Sequence, residues 1–556
     1  MGSREAILGA SVDSENTPSH RVHADVPTQL DIPTVVAILK KWNTSCDAYH
    51  PRCKVPLSPE LPKRVLDLGV EKESKIKLVE PQGVHAPYVA LSYCWGSSGV
   101  PIRSITASLP LYLAGISWDA LPKTFQDTIR ICWALKIQYL WIDSLCIIQD
   151  QPSDWETQSG KMAEIYSNSL FTIAATACEG SDKGLFSNRW SSIRKAGGEI
   201  IRLPTGSSFL KYSGRSLRLR PLLHLAHARF IELENAANHI EDAPLMSRAW
   251  AFQERLLPCR TLHFHAEELV WKCKTGMRCE CGDMDDPWLK RVELENPQHF
   301  IRPPEFMTSD MWLKSLFACV DTQDVSMDRL SYIWMDLVSE FSKLDLTFES
   351  DRLPALSGLA ARFSNNSMGA YLAGHWENSL SENLLWETSR KERVWLPESS
   401  LKLDAPSWSW ASVSISRNNS ISYGRMLNLS FEKDDCFKVL GASTEVLGEN
   451  PYGWVKNATI CVEGKCVDCV AIRGSHGQWY LQGTSSHQAY PAPYHWPLLS
   501  VDKPVGVEDR SILLFLYIGT GLGLALCHDE EECNAYRRVG LVSLPNITWW
   551  LGEADR

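Results

Sequence analysis

The chain has 556 residues, too many for one ordinary core and enough for about two to four domains of roughly 100–200 residues each. Hydrophobic residues make up 44% and charged residues 22%, which excludes wholesale disorder, collagen-like repetition and a coiled-coil rod. With 56 Lys+Arg against 66 Asp+Glu the net charge is −10, which argues against a broad nucleic-acid or anionic-membrane surface, and the 22 tryptophans must fill cores or line binding surfaces.

Residues 1–33 carry few large apolar side chains and read as a flexible tail, without the apolar stretch that a secretory signal needs. Gly2 is followed by Ala6 where a myristoylation signal has Ser or Thr. The 17 cysteines, odd in number and scattered, fit reduced thiols, so a cytoplasmic location is expected. A short helix is predicted over Val35–Trp42, followed by Cys46, His50 and Cys53. Ile76–Val79 and Tyr88–Cys94 are strand-like, the second ending at the turn Trp95-Gly96-Ser97-Ser98. Pro122 and Thr124 open a helix whose apolar Phe125, Ile129, Cys132 and Trp133 share one face. Tyr139–Ile148, apolar except for Asp143, reads as a strand covered on both sides. Ser153 and Glu156 make a capping box for a helix running through Met162, Ile165 and Tyr166, and Leu170–Ala175 is the next strand. This alternation predicts an α/β unit with a largely parallel sheet.

An insertion with its own strands is expected near 180–245, then a helix over Ser247–Leu257 and a hairpin of Thr261–His265 with Leu269–Lys274. From 301 to 556 the pattern is mixed: helices near Met311–Ala318 and Ser331–Leu344, then a strand-rich α+β region. Ser511–Cys527 is uncharged and just long enough to span a membrane as a helix. Gly519, Gly521 and Gly523 at its centre instead favour two buried strands joined by a tight turn, so no membrane span is predicted. The domain reading is therefore a tail at 1–33, an α/β domain at 34–300 and a C-terminal region at 301–556.

No Walker-A loop, HExxH helix or GxSxG elbow is present. Ser92 to Gly96 close one strand and Asp143 with Cys146 lie toward the end of another, the edge at which open parallel sheets bind ligands. Trp250 and Glu254 are four apart on one helix, with Arg248 and Gln253 beside them; a carboxylate next to an indole can hold a cationic or hydroxylated ligand. The same residues also serve as core rings, a turn cap and ion pairs of Glu254 with Arg255 or Arg248, and the pattern alone leaves both readings open. Cys46, His50 and Cys53, combined with Cys273, Cys279 and Cys281, offer thiolates and an imidazole of the kind that hold zinc. Neither group has four ligands at the usual intervals, so buried thiols are the first reading, with no metal ligand assigned, and zinc at Cys46, His50, Cys53, Cys279 and Cys281 the alternative.

Ala90-Leu91-Ser92-Tyr93-Cys94-Trp95-Gly96, Leu121-Pro122-Lys123-Thr124-Phe125 with Asp127-Thr128, Tyr139 to Asp150, Met162 with Ile165-Tyr166, and Ser247 to Leu257 resemble, in order, the motif series of the fungal heterokaryon incompatibility (HET) domain. Leu356-Ser357-Gly358-Leu359-Ala360, Tyr371 to Trp376, Ala405 to Ser412 and Tyr536 to Gly540 are similar to the longer proteins of that family. The resemblance implies an intracellular effector of non-self recognition and programmed cell death. It also implies kinship with the TIR domain, a flavodoxin-like fold whose helix glutamate cleaves NAD in some members. Ser247, Trp250 and Glu254 keep the TIR Trp-to-Glu interval, although the serine stands one residue further away and Arg255 replaces a leucine. On this resemblance Glu254 is the catalytic candidate, Ser92, Trp95, Asp143, Arg248 and Trp250 hold NAD(P) as substrate, and self-association and an upstream recognition protein are the expected partners. The alternative from a different class is a non-catalytic signalling module that acts by oligomerisation.

Overall fold

The computed structural model describes residues 8–9, 26–69 except 28, 75–186 except 98, 201–202, 218–221, 243–282, 309–320 and 325–544, the last without 365–366, 391–404, 414–418, 425–430, 475–477, 484–497, 502–509 and 530–534. Its contacts divide the chain into two compact units, Met1–Cys319 and Val320–Arg556. Most of the expected tail and insertion lies outside the described residues. Of those two segments, strand Leu8–Gly9 pairs with Arg218–Pro221, which pairs in turn with Ile201–Arg202.

The first unit is built on an eight-stranded sheet among the described residues. Its strands in chain order are β1 (Val65–Asp67), β2 (Lys77–Val79), β3 (Tyr88–Ser92), β4 (Tyr139–Trp141), β5 (Phe171–Ala174), β6 (Arg260–Phe264), β7 (Leu269–Cys273) and β8 (Met277–Cys279), arranged β8-β7-β6-β5-β3-β4-β1-β2. β4, β3, β5 and β6 run parallel. β1 and β2 at one edge and β7 and β8 at the other pair antiparallel. The sheet is therefore mixed, which corrects the largely parallel expectation: four central parallel strands in the order β4-β3-β5-β6 are flanked by antiparallel strands at both edges. The cause is local: β6, β7 and β8 are joined by short connections, which can only fold a strand back on its neighbour.

Helix α1 (Ile32–Tyr49) is longer than the predicted Val35–Trp42; Asp31 caps it by accepting from the Thr34 N–H at 2.9 Å. Helix α2 (Lys123–Leu135) buries Phe125, Ile129 and Cys132 as the spacing requires. The run Tyr139–Ile148 is not one strand: β4 stops at Trp141 and Asp143–Cys146 turn into the short helix α3. A continuous apolar run suits a buried strand and a buried turn of helix equally. The next helix is interrupted, giving α4 (Pro152–Gly160) and α5 (Met162–Asn168). No side chain caps α4, which starts on Pro152; Asp154, not Ser153, is the anchored residue, accepting from the Ile148 N–H at 3.0 Å and pairing with Arg64. Helix α6 (Ala249–Leu256) and the β6–β7 hairpin lie where the pattern predicts.

In the second unit, helices Ser326-capped Met327–Phe341 and Pro354–Ala361 are covered by rings. Trp334 meets Phe363, Tyr371 and Trp376 edge to face at 5.3–5.8 Å, and the Trp334 and Trp410 indole N–H groups both donate to the Gly374 carbonyl. Arg538 stacks on Trp386 at 3.6 Å. Six strands, β9 (Cys466–Arg473), β10 (Trp479–Gly483), β11 (Leu498–Val501), β12 (Ile512–Gly519), β13 (Leu522–His528) and β14 (Tyr536–Ser543), close into a barrel in the order β9-β10-β11-β14-β13-β12. The uncharged segment Ser511–Cys527 is its β12–β13 hairpin. Gly523 is required there, because a Cβ would stand 2.3 Å from the Leu516 carbonyl oxygen. No helix among the described residues is long and apolar enough to cross a membrane.

Candidate functional site

Topology selects one position in the first unit. The chain leaves β3 for β4 on one side, then crosses back over to β5 on the other. Such a divergence opens a crevice at the carboxyl ends of the strands, where ligands bind in α/β sheets. Ser92 is the last residue of β3 and lies opposite Ala174, the last of β5. From α6, the Glu254 carboxylate reaches this edge and accepts a hydrogen bond from the Ser92 hydroxyl at 2.5 Å.

The surroundings of Glu254 are dense. It is 6% exposed, Ser92 4% and Tyr93 2%. Burial and then the nearby charge of Asp143 push the Glu254 carboxyl up to about 7, opposed by the Ser92 hydroxyl, Arg248 and Tyr166. The Asp143 carboxyl is raised too, first by burial, although it accepts from the Trp95 indole at 2.8 Å and from the Ser144 N–H at 2.6 Å. Tyr93 donates to the Ser144 hydroxyl at 2.8 Å, and Arg248 donates to the Tyr93 carbonyl at 2.6 Å. Two carboxyls, one guanidinium and two phenols thus face one another at the mouth of the sheet.

Of the residues predicted from sequence, Ser92, Trp95, Asp143, Arg248 and Glu254 come together in this network. Trp250 packs its ring edge to face against Trp155 at 5.8 Å. Ser247 serves its own turn by donating to the Pro244 carbonyl at 2.9 Å. Arg255 stacks over Phe252 at 5.1 Å and donates to the Met246 carbonyl at 3.3 Å. Sequence reasoning assigned no site role to Tyr93 or Tyr166. Burial and then the Glu254 charge raise the Tyr166 hydroxyl well above its ordinary value. Its signal in the sequence is the Met162, Ile165, Tyr166 spacing, which marks a helix and a family motif but no site role.

The cysteine groups separate into two. Cys46, His50, Cys53 and Cys273 place one donor atom each within 4.8 Å of one another, a set that can hold a metal ion. Glu268, Cys279 and Cys281 form the second group, with the two sulfurs 3.3 Å apart. This corrects the assignment of Cys279 and Cys281 to the first set. Antiparallel pairing of β7 with β8 puts Cys279 opposite Val270, at the far end of β7 from Cys273.

Searches of curated proteins and of solved structures give no match. A family model does match, and its limits coincide with the site: they begin at the first residue of β3 and end at Glu254. Over residues 88–254 the chain matches the family described as Heterokaryon incompatibility protein (HET).

Proposed function

We propose that this chain acts in heterokaryon incompatibility and that its β3–α6 site cleaves the bond between nicotinamide and ribose in NAD(P). The single observation that carries the reading is the buried Glu254 carboxylate held by Ser92 at the point where the sheet's crossovers diverge. In the ionised form Glu254 accepts hydrogen bonds from ribose hydroxyls and stabilises positive charge developing on the sugar. Nicotinamide leaves with the electron pair of the broken C–N bond, water adds its oxygen to the anomeric carbon, and a proton passes to solvent. Asp143, fixed by Trp95, adds a second negative charge facing the cationic ring, and Arg248 is placed to meet a phosphate. The aromatic partner in this arrangement is Trp95 rather than Trp250.

Purified full-length protein incubated with NAD is expected to release nicotinamide, and Glu254→Ala to release none. Because ionised Glu254 is required, the rate rises with pH and levels off above about 7, where the carboxyl has lost its proton. A protein that releases no nicotinamide even under forced self-association would instead be a non-catalytic assembly module.

A further inference from the structure

A second constellation lies away from the Glu254 site and has no part in the chemistry above. Helix α1 carries Cys46 in its last turn, and His50, the C-cap four residues on, donates its backbone N–H to the Cys46 carbonyl. The single turn Pro51–Cys53 that follows brings Cys53 back beside them. Cys273, the last residue of β7, arrives from 223 positions beyond His50, with its sulfur 3.3 Å from His50 Nδ1. We propose that Cys46, His50, Cys53 and Cys273 bind one zinc ion as a closed structural site that fastens α1 to the β6–β7 hairpin.

The geometry suits a tetrahedral ion. A metal with zinc–sulfur bonds of about 2.3 Å requires donors roughly 3.8 Å apart. All four donor atoms lie within 4.8 Å of one another, so small rotamer changes close the tetrahedron. Three soft thiolates and one imidazole select zinc over calcium or magnesium, and four protein ligands leave no open position for catalysis. Outer groups of the usual kind are in place: the Gly276 N–H points to the Cys273 sulfur at 3.3 Å, and the Thr275 hydroxyl lies 3.4 Å from that of Cys53. Arg260 donates to the Cys53 carbonyl at 2.7 Å and to Asn43 of α1 at 2.7 Å, locking the ligand loop onto the hairpin. Closing so long a loop is where a metal clip restricts the unfolded chain most. Cys259, a neighbouring thiol in contact with Cys53, stands outside the four-donor set.

Elemental analysis of the full-length protein purified without chelator is expected to give about one zinc per chain. Replacement by cobalt should give thiolate-to-metal charge-transfer absorption together with the intense visible bands of a tetrahedral site. His50→Cys keeps the metal and strengthens the charge-transfer band, a readout that does not depend on a ligand-deleted protein folding. Cys273→Ser loses the metal, whereas Cys259→Ser and Cys279→Ser retain it. Absence of zinc together with no tetrahedral cobalt spectrum, or loss of the metal in Cys279→Ser with retention in Cys273→Ser, overturns the assignment.

Discussion

Glu254→Gln lowers nicotinamide release by about 10²–10⁴-fold and at the same time makes the first unit harder to unfold above neutral pH. The two effects have one cause. The folded state holds the Glu254 carboxyl at about 7 against an ordinary value of 4.5, so the fold favours its neutral form. Stability from this group is fully present below the ordinary value and is lost as pH rises through about 7. A permanently neutral amide, still able to accept from Ser92, escapes that loss. The gain approaches about 3 kcal/mol at alkaline pH and vanishes at acidic pH. Thermal unfolding of both proteins from about pH 4 to about pH 8 tests this, with a divergence of several degrees expected only at the upper end. If the glutamine protein is the less stable one at pH 8, Glu254 is a satisfied ion-pair partner of Arg248 and the site loses its main support.

The second large effect falls on a structural pair. Asp154→Ala is expected to destabilise the first unit by about 3–5 kcal/mol, because it leaves the buried Arg64 guanidinium with the part-exposed Glu80, at 3.3 Å, as its remaining ion-pair partner. Arg64 is 1% exposed, pairs with Asp154 and donates from Nε to the Cys146 carbonyl at 2.8 Å. Asp154 also accepts from Lys63 at 2.8 Å and from the Ile148 N–H at 3.0 Å. Burial works against ionisation of Asp154, but Arg64 and Lys63 outweigh it and hold its pKa below the usual carboxylate range. Its contribution is thus present above that range and disappears as pH falls through the lowered value. Urea denaturation reads the loss, and Arg64→Met with Asp154→Leu should recover most of it, since an apolar pair removes the buried guanidinium left with a weaker partner. If Asp154→Ala alone leaves the urea midpoint unchanged, this network does not hold the α3–α4 turn in place.

Much of the architecture was legible because it is written in periodicity. The buried face of α2, the β6–β7 hairpin and the β12–β13 hairpin follow from apolar spacing and turn glycines alone. The Ser92, Asp143 and Glu254 association was legible only as three pieces at predicted strand and helix ends; that they converge depends on the strand order, which no local pattern encodes. The errors share that origin. Asp154 was passed over in favour of Ser153 because its partner, Arg64, is 90 residues away. Cys273 was grouped with Cys279 by proximity in sequence, whereas the hairpin carries it to α1. Tyr139–Ile148 failed for a different reason: burial on all sides erases the alternation that separates strand from helix.

The closed barrel of the second unit limits how this chain can assemble. A ladder closed on itself presents no row of unpaired N–H and C=O groups to another molecule, so strand-by-strand polymer growth has no template along β9 to β14. The mixed sheet differs, since β2 and β8 are its outermost strands. Backbone pairing between copies is therefore open to strands outside the barrel, among them β2 and β8 of the mixed sheet and the two-stranded ladder of Lys438–Val446 with Val455–Glu463.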